Sequence, residues 1–198
     1  MTDRAQMPRQ NDKREILTAT AAGLFWRQGY TVTSLADIAV SSGIPLGNIY
    51  YYFKTKTDLA RSVADIFVAE TEDMLTQIVA SDQDPRHRLQ LLIDKLAQSL
   101  KSRVEHGCPI ALGIRDFRRD SPEAASRAAE AFSLLIGFIG RELGRSGIRP
   151  STALAIARNA VTEWQGGIML AHGLRDPTVL AESFRRMERL LLGAKAHA

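Results

Sequence analysis

Apolar residues recur every three or four positions through most of this chain, without a convincing alternation of apolar and polar residues typical of a strand. This spacing predicts helices, and the chain as a whole predicts an all-α fold. Glycines, prolines and capping residues separate nine predicted helices. We expect a three-helix N-terminal domain in residues 1–55 and a six-helix bundle in residues 56–198. The predicted helices cover approximately residues 16–28, 34–41, 45–52, 56–80, 85–105, 109–117, 122–144, 151–174 and 177–192.

Two short predicted helices, residues 34–41 and 45–52, are joined by a glycine turn. Thr33 is placed to cap the first helix, because its hydroxyl can accept a bond from an otherwise unpaired N–H of the first turn. Gly43 suits the left-handed backbone that ends a helix. Pro45 can open the second helix, where its missing N–H costs nothing. The pattern is typical of a helix-turn-helix DNA reader, although an ordinary packed helix hairpin is the alternative.

The second of these helices is predicted to lie in the major groove of DNA. N-terminal residues of a recognition helix reach base edges, whereas hydroxyls and nearby lysines contact phosphates. Three consecutive tyrosines cannot all be buried, because successive helical residues point about 100° apart. At least one aromatic side chain is therefore expected on the surface. The candidate DNA contacts are Thr33, Ser34, Leu46, Gly47, Asn48, Tyr50, Tyr51, Tyr52, Lys54 and Lys56.

Residues 16–59 resemble the DNA-binding domain of the tetracycline-repressor (TetR) family of bacterial transcriptional regulators. The run from Gly47 to Leu59 is similar to the family's glycine followed by aliphatic–Tyr–Tyr–His–Phe–Lys–x–Lys–x–x–Leu. Tyr52 stands where the family commonly has histidine. The resemblance implies a regulator, most often a repressor, that binds double-stranded operator DNA and answers to a small-molecule inducer, here unknown.

The last two predicted helices carry more apolar surface than one partner helix needs. They could pack entirely within the chain, but we favour a two-fold homodimer, the commonest oligomer and the one that the family resemblance implies. A dimer would place two recognition helices about 34–36 Å apart, to read a palindrome. The residues concerned are Leu154, Ala157, Ala160, Val161, Trp164, Gly167, Ile168, Ala171, Val179, Leu180, Phe184, Met187, Leu190 and Leu191.

Composition and charge indicate the cellular compartment of the protein more than its function. The net charge of +4 is compatible with nucleic acid without arguing strongly for it. One cysteine cannot form an internal disulfide, which suits a reducing compartment. Residues 1–12 lack the apolar core of a secretory signal, and the longest apolar run, residues 132–140, is far too short to span a bilayer. These features predict a cytoplasmic protein with no membrane partner.

No catalytic or metal-binding motif stands out. The four histidines, His87, His106, His172 and His197, are too far apart to form a metal pair on one helix. The chain has neither a phosphate-binding glycine loop nor a nucleophile elbow. We therefore expect no enzyme, metal or cofactor. A helical small-molecule-binding protein or enzyme with a degenerate DNA domain is the alternative.

The six-helix bundle could sense a signal in two ways, through a reactive thiol or through a pocket that binds an inducer. Cys108 precedes Pro109, so it can occupy a helix N-cap, where the helix dipole stabilises a thiolate. The alternative is that it simply packs in the interior. By the family resemblance an inducer pocket lies among the later helices, and Asp116 and Glu163 could supply charge there. The candidate ligand-binding residues are Phe67, Cys108, Phe117, Phe138, Trp164 and His172.

Overall fold

The computed structural model describes residues 10–194, which are helical with no strand. The predicted all-α fold is confirmed, while His197 and residues 1–9 lie outside the described range. Ten helices occur there, or nine if the two segments flanking Gln98 and Ser99 are counted as one. They are α1 Gln10–Gln28, α2 Leu35–Ser42, α3 Leu46–Tyr52, α4 Lys56–Ser81, α5 Pro85–Ala97, α6 Leu100–His106, α7 Pro109–Asp120, α8 Pro122–Arg145, α9 Pro150–Leu174 and α10 Pro177–Leu192.

Several helix starts follow the predicted capping chemistry. The Asp84 and Asp176 side chains accept backbone N–H bonds at the starts of α5 and α10. Thr55 and Asp58 form a complete capping box at the start of α4. The helix predicted from residue 151, where a serine could act as the cap, begins at Pro150 instead, and Arg149 is the N-cap.

The N-terminal domain packs α1, α2 and α3 around a small core that the first turns of α4 complete. Leu17 of α1, Ile38 of α2 and Ile49 of α3 are fully buried. Phe53 and Leu59 are also buried and join α3 to α4. A core shared in this way fixes the helix-turn-helix against the long helix α4.

An aromatic cluster joins this domain to the rest of the molecule. Phe25 and Tyr30 pack edge-on at 5.1 Å between ring centroids, and Phe117 of α7 lies 5.1 Å from Tyr30. Trp26 donates its indole N–H to the Gly107 carbonyl, 3.0 Å away, in the turn between α6 and α7. The end of α1 is therefore attached directly to the bundle.

In the bundle, α8 packs against α4, α5, α7 and α9, and α10 packs along α9. Most of the apolar residues that predicted a dimer surface are buried within the chain by these contacts. Trp164 and Ile168 of α9, with Leu180 and Met187 of α10, are examples. Within residues 10–194, no helix combines the length and apolar character needed to cross a bilayer.

Candidate DNA-reading surface and interior cavity

The start of α2 is fixed by Ser34. Its hydroxyl accepts a bond from the Asp37 N–H at 3.1 Å, and the Asp37 carboxylate accepts the Ser34 N–H at 2.7 Å. The backbone and side-chain bonds from Ser34 lower the pKa of Asp37. This reciprocal arrangement is a capping box one residue later than predicted.

The prediction that Thr33 caps α2 was wrong. Thr33 is fully buried. Its hydroxyl donates to the Gly29 carbonyl at 2.7 Å and accepts from the Gln28 amide at 3.1 Å. The side chain thus closes the turn after α1 and does not reach the surface on which a DNA contact was predicted.

The turn between α2 and α3 follows the prediction closely. Gly43 ends α2 with φ of 68°, the left-handed region that glycine adopts without steric cost. Pro45, predicted as the first residue of the helix, is instead its N-cap, and its carbonyl accepts from the Asn48 N–H at 2.8 Å. The recognition helix therefore begins at Leu46.

One face of α3 is buried and the other is open. Ile49 points into the core, whereas Leu46, Gly47 and Asn48 are exposed in the first turn. Tyr50 is 48% exposed and Tyr51 is 64% exposed, which confirms the prediction that the helix displays an aromatic side chain. This face carries no charge. It presents the bare backbone of Gly47, the carboxamide of Asn48 and the phenol rings of the tyrosines, which are groups suited to contacting DNA.

Two further candidate contacts, Tyr52 and Lys54, lie at the C-terminal end of α3 and just beyond it. Tyr52 is half-buried and packs edge-on against Tyr51. Lys54 is exposed, and its ammonium donates to the Tyr50 carbonyl at 3.0 Å, at the C-terminal end of α3. A cation there also interacts favourably with the helix dipole.

Lys56 is less free than the sequence indicated. Its ammonium donates to the Thr31 carbonyl at 3.1 Å and lies 4.3 Å from the centre of the Tyr30 ring. Burial lowers the pKa of Lys56, although the charges of Asp120 and Asp37 oppose that effect. Lys56 therefore helps to stabilise the N-terminal domain, in addition to its predicted contact with DNA.

A cavity of about 330 Å³ lies where α1 meets the bundle. Two predicted ligand-binding residues, Phe67 and Trp164, line it. Three lining residues come from α1, so the cavity borders the DNA-binding domain. Its other lining residues are Ala22, Gly23, Trp26, Ile66, Glu70, Thr71, Met74, Leu96, Arg103, Pro109, Ile110 and Leu135.

Polar groups in the cavity lining are few. The Arg103 guanidinium lies 4.9 Å from the centre of the Trp164 ring, and its Nε donates to the Ser99 hydroxyl at 2.6 Å. Within residues 10–194, the buried Arg103 Nη1 and Trp164 Nε1 have no hydrogen-bond partner. Desolvation raises the pKa of Glu70 at the cavity edge.

The other predicted ligand residues do not line this cavity. Phe117 belongs to the aromatic cluster with Phe25 and Tyr30, and Phe138 is buried in α8. His172 is exposed, with its Nδ1 3.0 Å from the Val104 carbonyl. Asp116 and Glu163, proposed as pocket charges, instead pair with Arg115 and Arg186. Only two of the six candidates therefore line this cavity.

Cys108 occupies the predicted N-cap of α7, directly before Pro109. It is only 4% exposed, and its side chain makes no capping bond. Within residues 10–194, no group of three or more histidine, cysteine, aspartate or glutamate side chains is placed to hold a metal ion.

Twelve of the fourteen lining residues were not predicted from the sequence, and Trp26, Glu70 and Arg103 are the ones that bear on its chemistry. Trp26 carried a usable signal, because a tryptophan beside the apolar stripe of α1 indicates a second contact surface. For Arg103 the sequence indicates only a positive charge near Cys108. Glu70 had no signal, since an exposed helix face normally carries acidic residues.

Comparisons with known proteins agree with this geometry. The sequence model of the protein family described as "Bacterial regulatory proteins, tetR family" matches residues 17–63. The family model described as "Transcriptional regulator LmrA/YxaF-like, C-terminal domain" matches residues 85–185. An uncharacterized HTH-type transcriptional regulator of Mycobacterium tuberculosis is 30% identical over 186 residues, 90% of this chain and 94% of the relative. YxaF of Bacillus subtilis is 28% identical over 176 residues, 88% and 92% of the two chains.

A solved structure has the same fold. The chain superposes on a TetR transcriptional regulator from Legionella pneumophila with a TM-score of 0.80 and 22% sequence identity. The match covers 94% of this chain and 99% of the other.

Proposed function

Because this chain belongs to the TetR family of bacterial transcriptional regulators, we propose that it is a repressor released from DNA by a small molecule. In this proposal a homodimer binds a palindromic operator through two copies of α3. A ligand in the interior cavity then favours a conformation in which the two recognition helices are wrongly spaced. The observation that carries the proposal is the exposed, uncharged face of α3 on a fully packed helix-turn-helix.

Specific reading of DNA would rest on the first turn of α3. Asn48 can donate and accept hydrogen bonds at base edges, and Leu46 can contact a thymine methyl group. Gly47 lets the helix backbone approach the groove closely. Tyr50, Tyr51 and Lys54 are placed to contact phosphates, which position the protein without reading sequence.

The dimer would form through exposed residues of α9. Met169 is 77% exposed, Leu170 58% and Leu174 66%, although all three are large and apolar. They lie together near the C-terminal end of the helix. An apolar patch of this kind marks an interaction site, and a two-fold axis would bury it against its own copy.

Release would depend on differential affinity. A ligand shifts the equilibrium only as far as it prefers the conformation that does not bind DNA. A ~100-fold induction therefore needs about 2.7 kcal/mol of coupling. The cavity favours such coupling because its lining includes Ala22, Gly23 and Trp26 of α1.

Replacing Gly47 by alanine tests the DNA-reading surface. A Cβ at Gly47 meets nothing within 4 Å in the protein, so the fold should be kept. If backbone approach to the groove matters, Gly47→Ala should weaken binding to DNA flanking the gene by roughly tenfold. Fluorescence anisotropy with labelled duplex measures this affinity.

Gly140→Ala is the matched control, since a Cβ there also meets nothing within 4 Å and α8 is remote from α3 along the chain. It should bind DNA like the parent. Equal affinities of Gly47→Ala and the parent would show that the first turn of α3 does not enter the groove.

A thiol input through Cys108 is the second candidate, favoured by its position at the N-cap of α7. Its burial argues for the cavity as the principal input. The thiol route predicts that Cys108→Ser still binds operator DNA but no longer responds to an electrophile such as N-ethylmaleimide. An unchanged response of that variant would exclude it.

A further inference from the structure

Building on the proposed ligand-induced release, we propose that the interior cavity binds a small apolar molecule carrying a carboxylate. Most of the cavity lining is apolar, with side chains such as Ile66, Phe67 and Leu135. The volume of about 330 Å³ is at the small end of ligand pockets. Apolar burial alone would not distinguish an acid from a neutral molecule, so the polar groups decide the class.

Arg103 supplies the charge that selects an acid. Its guanidinium carries a positive charge, and within residues 10–194 no carboxylate forms an ion pair with it. Its Nε donates to the Ser99 hydroxyl, whereas its buried Nη1 has no hydrogen-bond partner among the described residues. A buried guanidinium N–H without an acceptor is costly, and a ligand carboxylate is its natural complement.

Trp164 points independently to a ligand that carries an oxygen acceptor. The residue is 1% exposed, yet its indole N–H has no acceptor among the described residues. A buried indole N–H normally finds a partner. Of the four buried side-chain polar atoms without partners in the described range, two belong to lining residues of this one cavity. A ligand carboxylate that reaches this wall of the cavity would offer an oxygen to each of these donors.

Glu70 is the one carboxylate among the lining residues, and it decides between an acid and an amine. A cationic ligand could pair with Glu70 but would lie in a cavity that also contains the Arg103 charge. Desolvation raises the pKa of Glu70, which disfavours its negative charge and so reduces its repulsion of an acid. The positive charge of Arg103 therefore outweighs the negative charge of the Glu70 carboxylate, and the cavity favours an anionic ligand.

Three matched probes test the ligand class: phenylbutyrate, phenylbutyramide and phenylbutylamine. Isothermal titration calorimetry with the full-length protein should show phenylbutyrate binding about 10- to 100-fold more tightly than the amide, and the amine weakest. Both tryptophans of the chain line the cavity, so bound phenylbutyrate should also change the intrinsic fluorescence.

Variants assign the preference to the cavity. Arg103→Gln should abolish the preference for phenylbutyrate over phenylbutyramide, and Arg103→Lys should keep part of it. Arg119→Gln, at a side chain that is 94% exposed, removes one arginine elsewhere and should keep all of it. Trp164→Phe should weaken both probes, since each offers an oxygen to the lost indole N–H.

The proposal is overturned by equal binding of acid and amide, by an undiminished preference in Arg103→Gln, or by no binding of either probe at millimolar concentration. Operator release, followed by anisotropy, is a separate readout. Arg103-dependent binding of phenylbutyrate without release would leave the ligand class standing and contradict ligand-induced repressor release. Release by acid and amide at equal concentrations would support ligand-induced release and contradict the preference for an acid.

Discussion

At the residue scale, the neighbouring hydroxyls of Thr33 and Ser34 have different roles at the start of the helix-turn-helix. Ser34 caps α2, whereas Thr33 turns inward to the Gly29 carbonyl. The sequence indicated a cap here but could not choose between the two residues, because either one can accept the bond. The choice depends on the conformation of the turn after α1, in which the Gly29 carbonyl and the Gln28 amide both bond to Thr33.

Ser34→Ala should lower the free energy of unfolding by about 1 kcal/mol, because an N–H in the first turn of α2 loses its acceptor. Urea denaturation followed by circular dichroism measures the difference. Ser34→Thr keeps a capping hydroxyl and should stay within a few tenths of a kcal/mol of the parent. An alanine variant as stable as the parent would mean that water replaces the cap at no cost.

At the scale of elements, α9 and α10 approach closely at a single glycine. A Cβ on Gly167 would lie 2.3 Å from the Ser183 hydroxyl oxygen and 2.4 Å from its Cβ. The Ser183 hydroxyl donates to the Glu163 carbonyl at 2.6 Å, so it cannot move aside freely. The small residues of α9 correctly indicated close approach, but the partner is α10 of the same chain.

Gly167→Ala should therefore destabilise the protein by about 1–3 kcal/mol, because the two helices must separate to admit the methyl group. Gly140→Ala, where the added Cβ has open space, should be neutral or stabilising by up to about 1 kcal/mol. Urea denaturation of both variants gives the comparison. Gly167→Ala matching Gly140→Ala in stability would show that the α9–α10 contact relaxes without cost.

Helix positions were largely predictable, since prolines and capping residues mark the starts of α4, α5, α7, α8 and α10. The interruption at Gln98 and Ser99 was not predicted because neither residue is a glycine or proline. The two segments pack partly against different helices: both contact α10, whereas α5 packs against α4 and α8 and α6 packs against α9.

At the scale of the whole molecule, the cavity is assembled by residues of seven helices, α1 and α4 to α9. Phe67 and Trp164 were predicted as large aromatic residues of the bundle, but their convergence with Arg103 depends on how α4, α6 and α9 pack. A periodic pattern determines which face of a helix is buried. It does not determine where the packing leaves a space, so four of the six candidates fell elsewhere.

The exposed end of α9 allows a test of the dimer. Leu170→Arg should convert a dimer into a monomer, because a charge on the two-fold interface would be desolvated against its own copy. The fold should be kept, since Leu170 is 58% exposed in one chain. Analytical ultracentrifugation at micromolar concentration measures the change.

Val79→Arg, an equivalent substitution at a partly exposed residue of α4, should remain dimeric. A parent protein that sediments as a monomer would contradict the dimer itself. A dimeric Leu170→Arg variant would place the interface on another surface.

The hydrogen bond from Trp26 to Gly107 has a consequence for how such a regulator can diversify. The acceptor is a main-chain oxygen, which every amino acid carries, so no single side-chain replacement in the bundle deletes it. Bundle residues of the cavity wall can therefore be replaced without removing this link to α1. In the proposed mechanism, selectivity for an effector would then change separately from the contact that carries its binding to α1.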